Sequence, residues 1–117
     1  MRLEMVQVKI MGKFLQTITL NRVNAICLAP FGIYVKEDYI ANPKTITHEG
    51  IHWQQQIEML YLLFYIWYII EYLVKLLFYG KRAYVNISFE REAYSNDRNV
   101  VYIFTRHRYA WIKRIFK

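Results

Sequence analysis

His48-Glu49-Gly50-Ile51-His52 constrains this chain more than any other stretch, because an HExxH pattern builds a cation site only when it lies on a single helix. Residues four apart stack on one helix face, so His48 and His52 can turn imidazole nitrogens toward the same ion. Glu49 projects beside that face. There it can take a proton from an attacking water instead of binding the ion, the general-base role in zinc peptidases. The same five residues also arise in proteins without metal, so the flanking sequence has to be read with them.

Asn42-Pro43 supplies a capping side chain followed by the residue best tolerated at the first helical position. A helix starting there carries both histidines in its second and third turns. Gly50 is the unexpected choice, since a mid-helix glycine costs about 1 kcal/mol relative to alanine. It reads either as a need for room beside a passing backbone or as a tolerated defect.

Two histidines leave a zinc ion in want of a third protein ligand and an open position. Phe89-Glu90-Arg91-Glu92-Ala93-Tyr94 offers the carboxylate. On a helix, Glu90, Tyr94 and Asp97 form one stripe by the i, i+4, i+7 rule, while Glu92 points to another side, so only one of the two glutamates can be the ligand and the other is expected to face solvent. Geometry leaves Glu90 and Glu92 both open as the ligand. Asp97 is a candidate to orient a ligand histidine or is an ordinary surface aspartate. Tyr94 and His107 are candidate donors to a developing oxyanion, against plainer readings as a packed tyrosine and a surface histidine.

His48 to His52 followed by Glu90-x-x-Ala93 resembles the gluzincin group of zinc peptidases. Thermolysin-like members carry Glu-Ala-x-Ser-Asp instead, which would select Glu92, but Asn96 stands where the aspartate belongs, so the resemblance favours Glu90 as the expected ligand with Glu92 as the alternative. A resemblance to short HExxH proteins of the Bacteroidota covers most of the chain, through Ala29-Pro30-Phe31, Thr47 to Gln56, Phe64 to Tyr68 and Asn86 to Tyr94. It implies a metal-site scaffold of the zincin type and leaves the substrate open.

The 117 residues predict one domain spanning 1–117, long enough to bury a core without disulfides. Cys27 has no partner in the sequence, which fits a reducing, cytoplasmic setting, and the polar interruptions after Met1 predict no export signal. Loose alternation predicts strands at 3–10 and 14–20 around a Gly12-Lys13 turn, then at 25–28 and 33–35. The expected fold is α+β: a minimal zincin-like domain whose small N-terminal antiparallel sheet, within residues 3–36, packs on the HExxH helix and is followed by further helices. In gluzincins such a sheet offers an edge strand to an extended peptide.

The segment 57–79 is the most apolar. Its uninterrupted run, Met59 to Ile70, falls short of the roughly 20 residues that span a bilayer, and Glu71 and Lys75 stand four apart in the order that pairs on a helix. A crossing would also leave the histidines and Glu90 on opposite sides of the membrane. A core helix or oligomer contact is the leading expectation, with a helix lying on a membrane surface behind it. An unbroken helix from His52 to Tyr79 would be roughly 40 Å long, about the full reach of the chain from Tyr79 back to Glu90. A break between Ile57 and Tyr79 is thus expected.

Beyond it, residues 83–89 should form an extended return, with Asn86 or Ser88 capping a helix over 89–105 and a basic amphipathic helix over 109–116. The net charge of +7 is concentrated toward that end, which bears no acidic residue after Asp97. It could meet an anionic membrane, or be a solvated face; no nucleic-acid-binding module is matched. The chemistry these residues predict is a zinc-dependent hydrolase acting on peptide or protein, with His48, His52 and Glu90 on the ion and Glu49 as base. The rival expectation is a catalytically inactive metal-binding or interaction scaffold, which the 11 tyrosines, 7 phenylalanines and 3 tryptophans would suit.

Overall fold

The computed structural model describes residues 8–13 and 24–117. Its architecture is α+β, a three-stranded sheet followed by helices. The strands are β1 (Val8–Ile10), β2 (Ala25–Leu28) and β3 (Gly32–Val35), in the order β1-β3-β2. β2 and β3 are antiparallel, joined through Ala29-Pro30-Phe31, with Cys27 opposite Ile33. β1 runs parallel to β3, with Val8 opposite Ile33, so the sheet is mixed and not wholly antiparallel as the local turn signals suggested. The strand expected over 14–20 lies outside the described residues.

The helix α1 (Pro43–Glu58) begins where the sequence places it, with the Asn42 side chain accepting a hydrogen bond from the Thr45 amide at 3.2 Å and Pro43 in the first turn. Trp53, with Ile46 and Ile57 beside it, packs α1 against Cys27, Ala29, Ile33 and Val35 of the sheet. Gln56 adds a polar clamp, accepting from the Ala29 amide at 2.8 Å and donating to the Cys27 carbonyl at 2.9 Å.

The expected break falls at Met59–Tyr61, between α1 and α2 (Leu62–Tyr79). With neither glycine nor proline available, the chain turns through Leu60 and Tyr61 at φ of 53° and 60°, a left-handed excursion costing about 1–3 kcal/mol per residue. The Tyr61 amide bonds back to the Gln56 carbonyl at 2.7 Å and fixes the corner.

On α2 the usual polarity of a surface helix is inverted. Its buried residues are Phe64, Glu71 and Lys75, while most of its leucines, isoleucines and aromatics are exposed, so of the expected core helix or oligomer contact the core helix is not found. Glu71 and Lys75 pair at 3.4 Å as their spacing predicts, but on the inner face. The Glu71 carboxylate also accepts from the Trp67 indole at 2.9 Å and from the Ser88 amide and hydroxyl at 2.5 and 2.6 Å. It thereby caps α3 (Ser88–Asn96), whose own preceding residue, Ile87, has no capping side chain. Lys75 in turn donates to the Asn86 and Ile115 carbonyls at 2.6 and 2.7 Å.

The return from α2 to α3 is not extended; it winds through single turns at Gly80–Arg82 and Tyr84–Asn86. The helix expected over 89–105 is two, α3 and the short α4 (Tyr102–Thr105), and the expected basic helix over 109–116 reduces to a turn and the 3-10 segment Ile112–Arg114. Arg106 explains both departures. Its guanidinium is buried and bonds Glu92 of α3 at 2.7 and 2.9 Å and Glu58 at the end of α1, which folds the chain back at the point where a continuous helix would carry it away. Phe64, Ile87, Phe89 and Trp111 close the core between α2, α3 and the C-terminal turn, and Ile51, Ala93 and Ile103 close it between α1, α3 and α4.

Removing one member of a buried ion pair leaves the other uncompensated, at about 3–5 kcal/mol. Glu71→Ala should lower unfolding stability by that order in urea titrations, and Glu71→Leu combined with Lys75→Met should recover part of the loss.

Candidate metal centre

α1 presents His48 and His52 on the face that meets α3, and α3 returns Glu90 to them. The His48 Nε2, His52 Nε2 and Glu90 Oε1 atoms form a triangle with sides of 3.2, 3.1 and 3.2 Å. A tetrahedral ion with bonds of about 2.0–2.1 Å has its ligand atoms about 3.3 Å apart, so these three donors occupy one face of such a site as they stand. All three residues are buried, and the group could hold a metal ion. Both imidazoles use the same nitrogen, because the opposite one is engaged: His48 Nδ1 lies 3.1 Å from Asp97 Oδ2, and His52 Nδ1 lies 2.7 Å from Gln55 Oε1. A donor N–H at each Nδ1 leaves the Nε2 lone pairs directed at the triangle.

Glu92 is not in the cluster, nor does it face solvent. Its carboxylate is buried, held by Arg106 and by the Tyr102 hydroxyl at 2.9 Å, and it accepts from the Gln55 amide at 2.9 Å. Gln55 thus joins His52 to the Glu92–Arg106 pair. Its position three residues after His52 was visible in the sequence, but the partner that makes it useful comes from another helix. Tyr68 of α2 donates its hydroxyl to Glu90 Oε2 at 2.8 Å. Burial and the adjacent Glu90 charge push that phenol upward, which keeps it a donor.

The charges are set by burial and by each other. Burial pulls against the charged form of His52, yet the Glu90 carboxylate outweighs it and the imidazole is raised to about 9. Glu90 itself, opposed by burial but facing two imidazoles, is held well below the usual carboxylate range. Glu49 moves the other way: burial raises its carboxyl above the ordinary value, and the two histidines only partly counter this. A carboxylate shifted upward is a stronger proton acceptor once ionised.

Two cavities meet at Glu49. One, of about 260 Å³, is walled by β2 and by Phe64, Tyr65 and Tyr68 of α2, and reaches His52 and Glu90. The other, of about 520 Å³, is more polar and takes in His48, Asp97, Asn42, Lys44 and Tyr94. Tyr84 lines both. Tyr94 stands with its ring 4.5 Å from that of His48, edge to face. His107 is exposed and lines neither cavity, so its candidacy as an oxyanion donor is withdrawn; Tyr68 and Tyr84, missed in the sequence, occupy that region instead. Comparison with protein-family models, with curated proteins and with solved structures finds no match to this chain.

Two outcomes test this geometry. Asp97→Ala should weaken divalent-ion binding by about 10–100-fold in chelator competition while the fold, read by circular dichroism, is kept. The raised His52 sets the pH response. In the metal-free chain its contribution to stability is fully present below pH 6.5 and is lost as pH rises through about 9. An incoming ion must displace that proton, so apparent affinity should climb about tenfold per pH unit over the same window.

Proposed function

We propose that this chain is a minimal zincin-like, zinc-dependent hydrolase, a small metallopeptidase in which His48, His52 and Glu90 hold the ion and Glu49 is the general base. The observation that carries the reading is the triangle of three donor atoms with Glu49 beside it and open space on both sides. Its donor set of two imidazoles and one carboxylate is the combination that leaves zinc a fourth position for chemistry. When bound, zinc would supply a Lewis acid that polarises a carbonyl and eases deprotonation of water.

The chain's own residues supply the remainder. Glu49, raised by burial, accepts the proton of the attacking water and can pass it to the departing amine. Asp97 and Gln55 hold the imidazoles in the tautomer that faces the ion. Tyr68 or Tyr84 can donate to the oxygen that gains charge at the scissile carbon. Among the described strands β2 pairs on one side only, with β3. The Lys36 amide bonds to the Asn24 carbonyl, and the alternation of an antiparallel ladder then turns the main-chain groups of Ala25 and Cys27 to the outer edge. Gln56 takes the Cys27 carbonyl, which leaves Ala25 to receive an extended peptide by strand addition.

Elemental analysis of the purified protein should find one equivalent of zinc per chain, lost in His48→Ala. Glu49→Gln should retain that zinc and lose hydrolysis of a quenched peptide library by about 10²–10⁴-fold. Undiminished turnover in the zinc-loaded variant would exclude Glu49 as the base.

A further inference from the structure

We infer that the outer surface of α2, with the C-terminal turn beside it, is a membrane-embedding face that seats the protein on one leaflet of an anionic bilayer without crossing it. The first ground is the inverted polarity of the helix. Glu71 and Lys75, the only ionisable side chains of α2 apart from its tyrosines, are turned inward and paired, while Leu73, Leu77 and Phe78 are 56, 84 and 77% exposed. Charges facing protein and aliphatic groups facing outward is the arrangement a lipid solvent selects.

The second ground is the breadth of the apolar surface. At about 100° per residue, the exposed positions Tyr72, Leu76, Leu73, Leu77, Leu63 and Phe78 cover more than half the circumference of α2. A packed partner helix covers a stripe of about 100°. A fluid that wraps the helix covers the whole arc.

The third ground is charge. Lys81 and Arg82 follow α2 after Gly80 and are exposed. Lys113 and Lys117 are exposed on the C-terminal segment that Lys75 ties to α2 through the Ile115 carbonyl, next to Phe116, which is 91% exposed. Glu71 is the only acidic residue between Met59 and Ser88, and it is buried. The rim of the apolar face is therefore positive, complementary to anionic headgroups.

A crossing is disfavoured by what the inner stripe carries. α2 is 18 residues, about 27 Å, close to the hydrocarbon thickness, but Ser88, Asn86 and Arg91 are packed alongside it and would enter the bilayer with it. Lying in the interface, α2 buries its apolar arc and leaves those groups on the protein side. The same helix supplies Phe64, Tyr65 and Tyr68 to the apolar cavity at the candidate metal centre, so the site would stand close to the lipid surface.

The test is sedimentation of the full-length chain with phosphatidylcholine vesicles and with mixed phosphatidylcholine–phosphatidylglycerol vesicles. The chain should pellet with both and more strongly with the anionic mixture. Leu73→Glu with Leu77→Glu should lower the partition coefficient at least about tenfold, since it removes two exposed apolar side chains from the face and sets two carboxylates in their place. His48→Ala should bind vesicles as the wild type does, which separates this result from the fate of the metal reading. Wild-type protein left in the supernatant with both vesicle types would overturn the proposal, as would equal binding by the double variant. A discrete oligomer in light scattering that the double variant converts to monomer would also overturn it, by assigning the face to a second copy of the chain.

Discussion

The Glu90 carboxylate ties the three long helices together at one point. One oxygen lies between the two imidazoles of α1 and the other receives the Tyr68 hydroxyl of α2, while its own backbone belongs to the first turn of α3. A buried carboxylate with fewer partners would be strongly unfavourable. Here the cost is offset by an imidazole whose proton is retained because Glu90 is there, so that His52 is raised and Glu90 lowered as two aspects of one pair. The same donors that satisfy this charge in the metal-free chain are those a cation would use. A cation held there would compete with the His52 proton for one preformed triangle.

A second layer of buried polar groups keeps the triangle in place. Asp97 comes from the far end of α3 and reaches His48, and Gln55 reaches back from His52 to Glu92, whose charge is met by Arg106. Arg106 closes on Glu58 as well, so the end of α1 and the start of the C-terminal segment are fixed by the same side chain. Its guanidinium lies inside the protein, which removes it from the basic surface that the charge of the C-terminal region suggested.

What was legible in the sequence was what periodicity carries. The two histidines fall on one helix face, and Glu90 and Asp97, seven apart, both arrive at His48 because a helix repeats at that spacing. The cap at Asn42 and the need for a break before α2 followed from local chemistry and from the reach of the chain. What was not legible depended on partners distant in sequence. Glu92 looked solvent-facing until Arg106 was folded onto it, the α3 helix looked longer until the same pair turned the chain, and Ser88 looked like a cap although Glu71 does the capping. The parallel pairing of β1 with β3 is a long-range choice that turn signals do not encode.

The apolar segment shows why hydropathy alone could not place α2. A run rich in leucine, isoleucine and aromatics is equally suited to a protein core, a protein contact and lipid, and the direction of its charged residues separates the first from the other two. Glu71 and Lys75 are four apart and would pair on either side of the helix. On the outside they would make α2 an ordinary amphipathic helix with its apolar face inward. They lie inside because Ser88 needs an acceptor at the start of α3, and the Asn86 and Ile115 carbonyls need a donor. Satisfying those backbone groups with the charged side chains of α2 turns its leucines outward, so the inverted helix follows from how the chain caps α3, the helix that delivers Glu90.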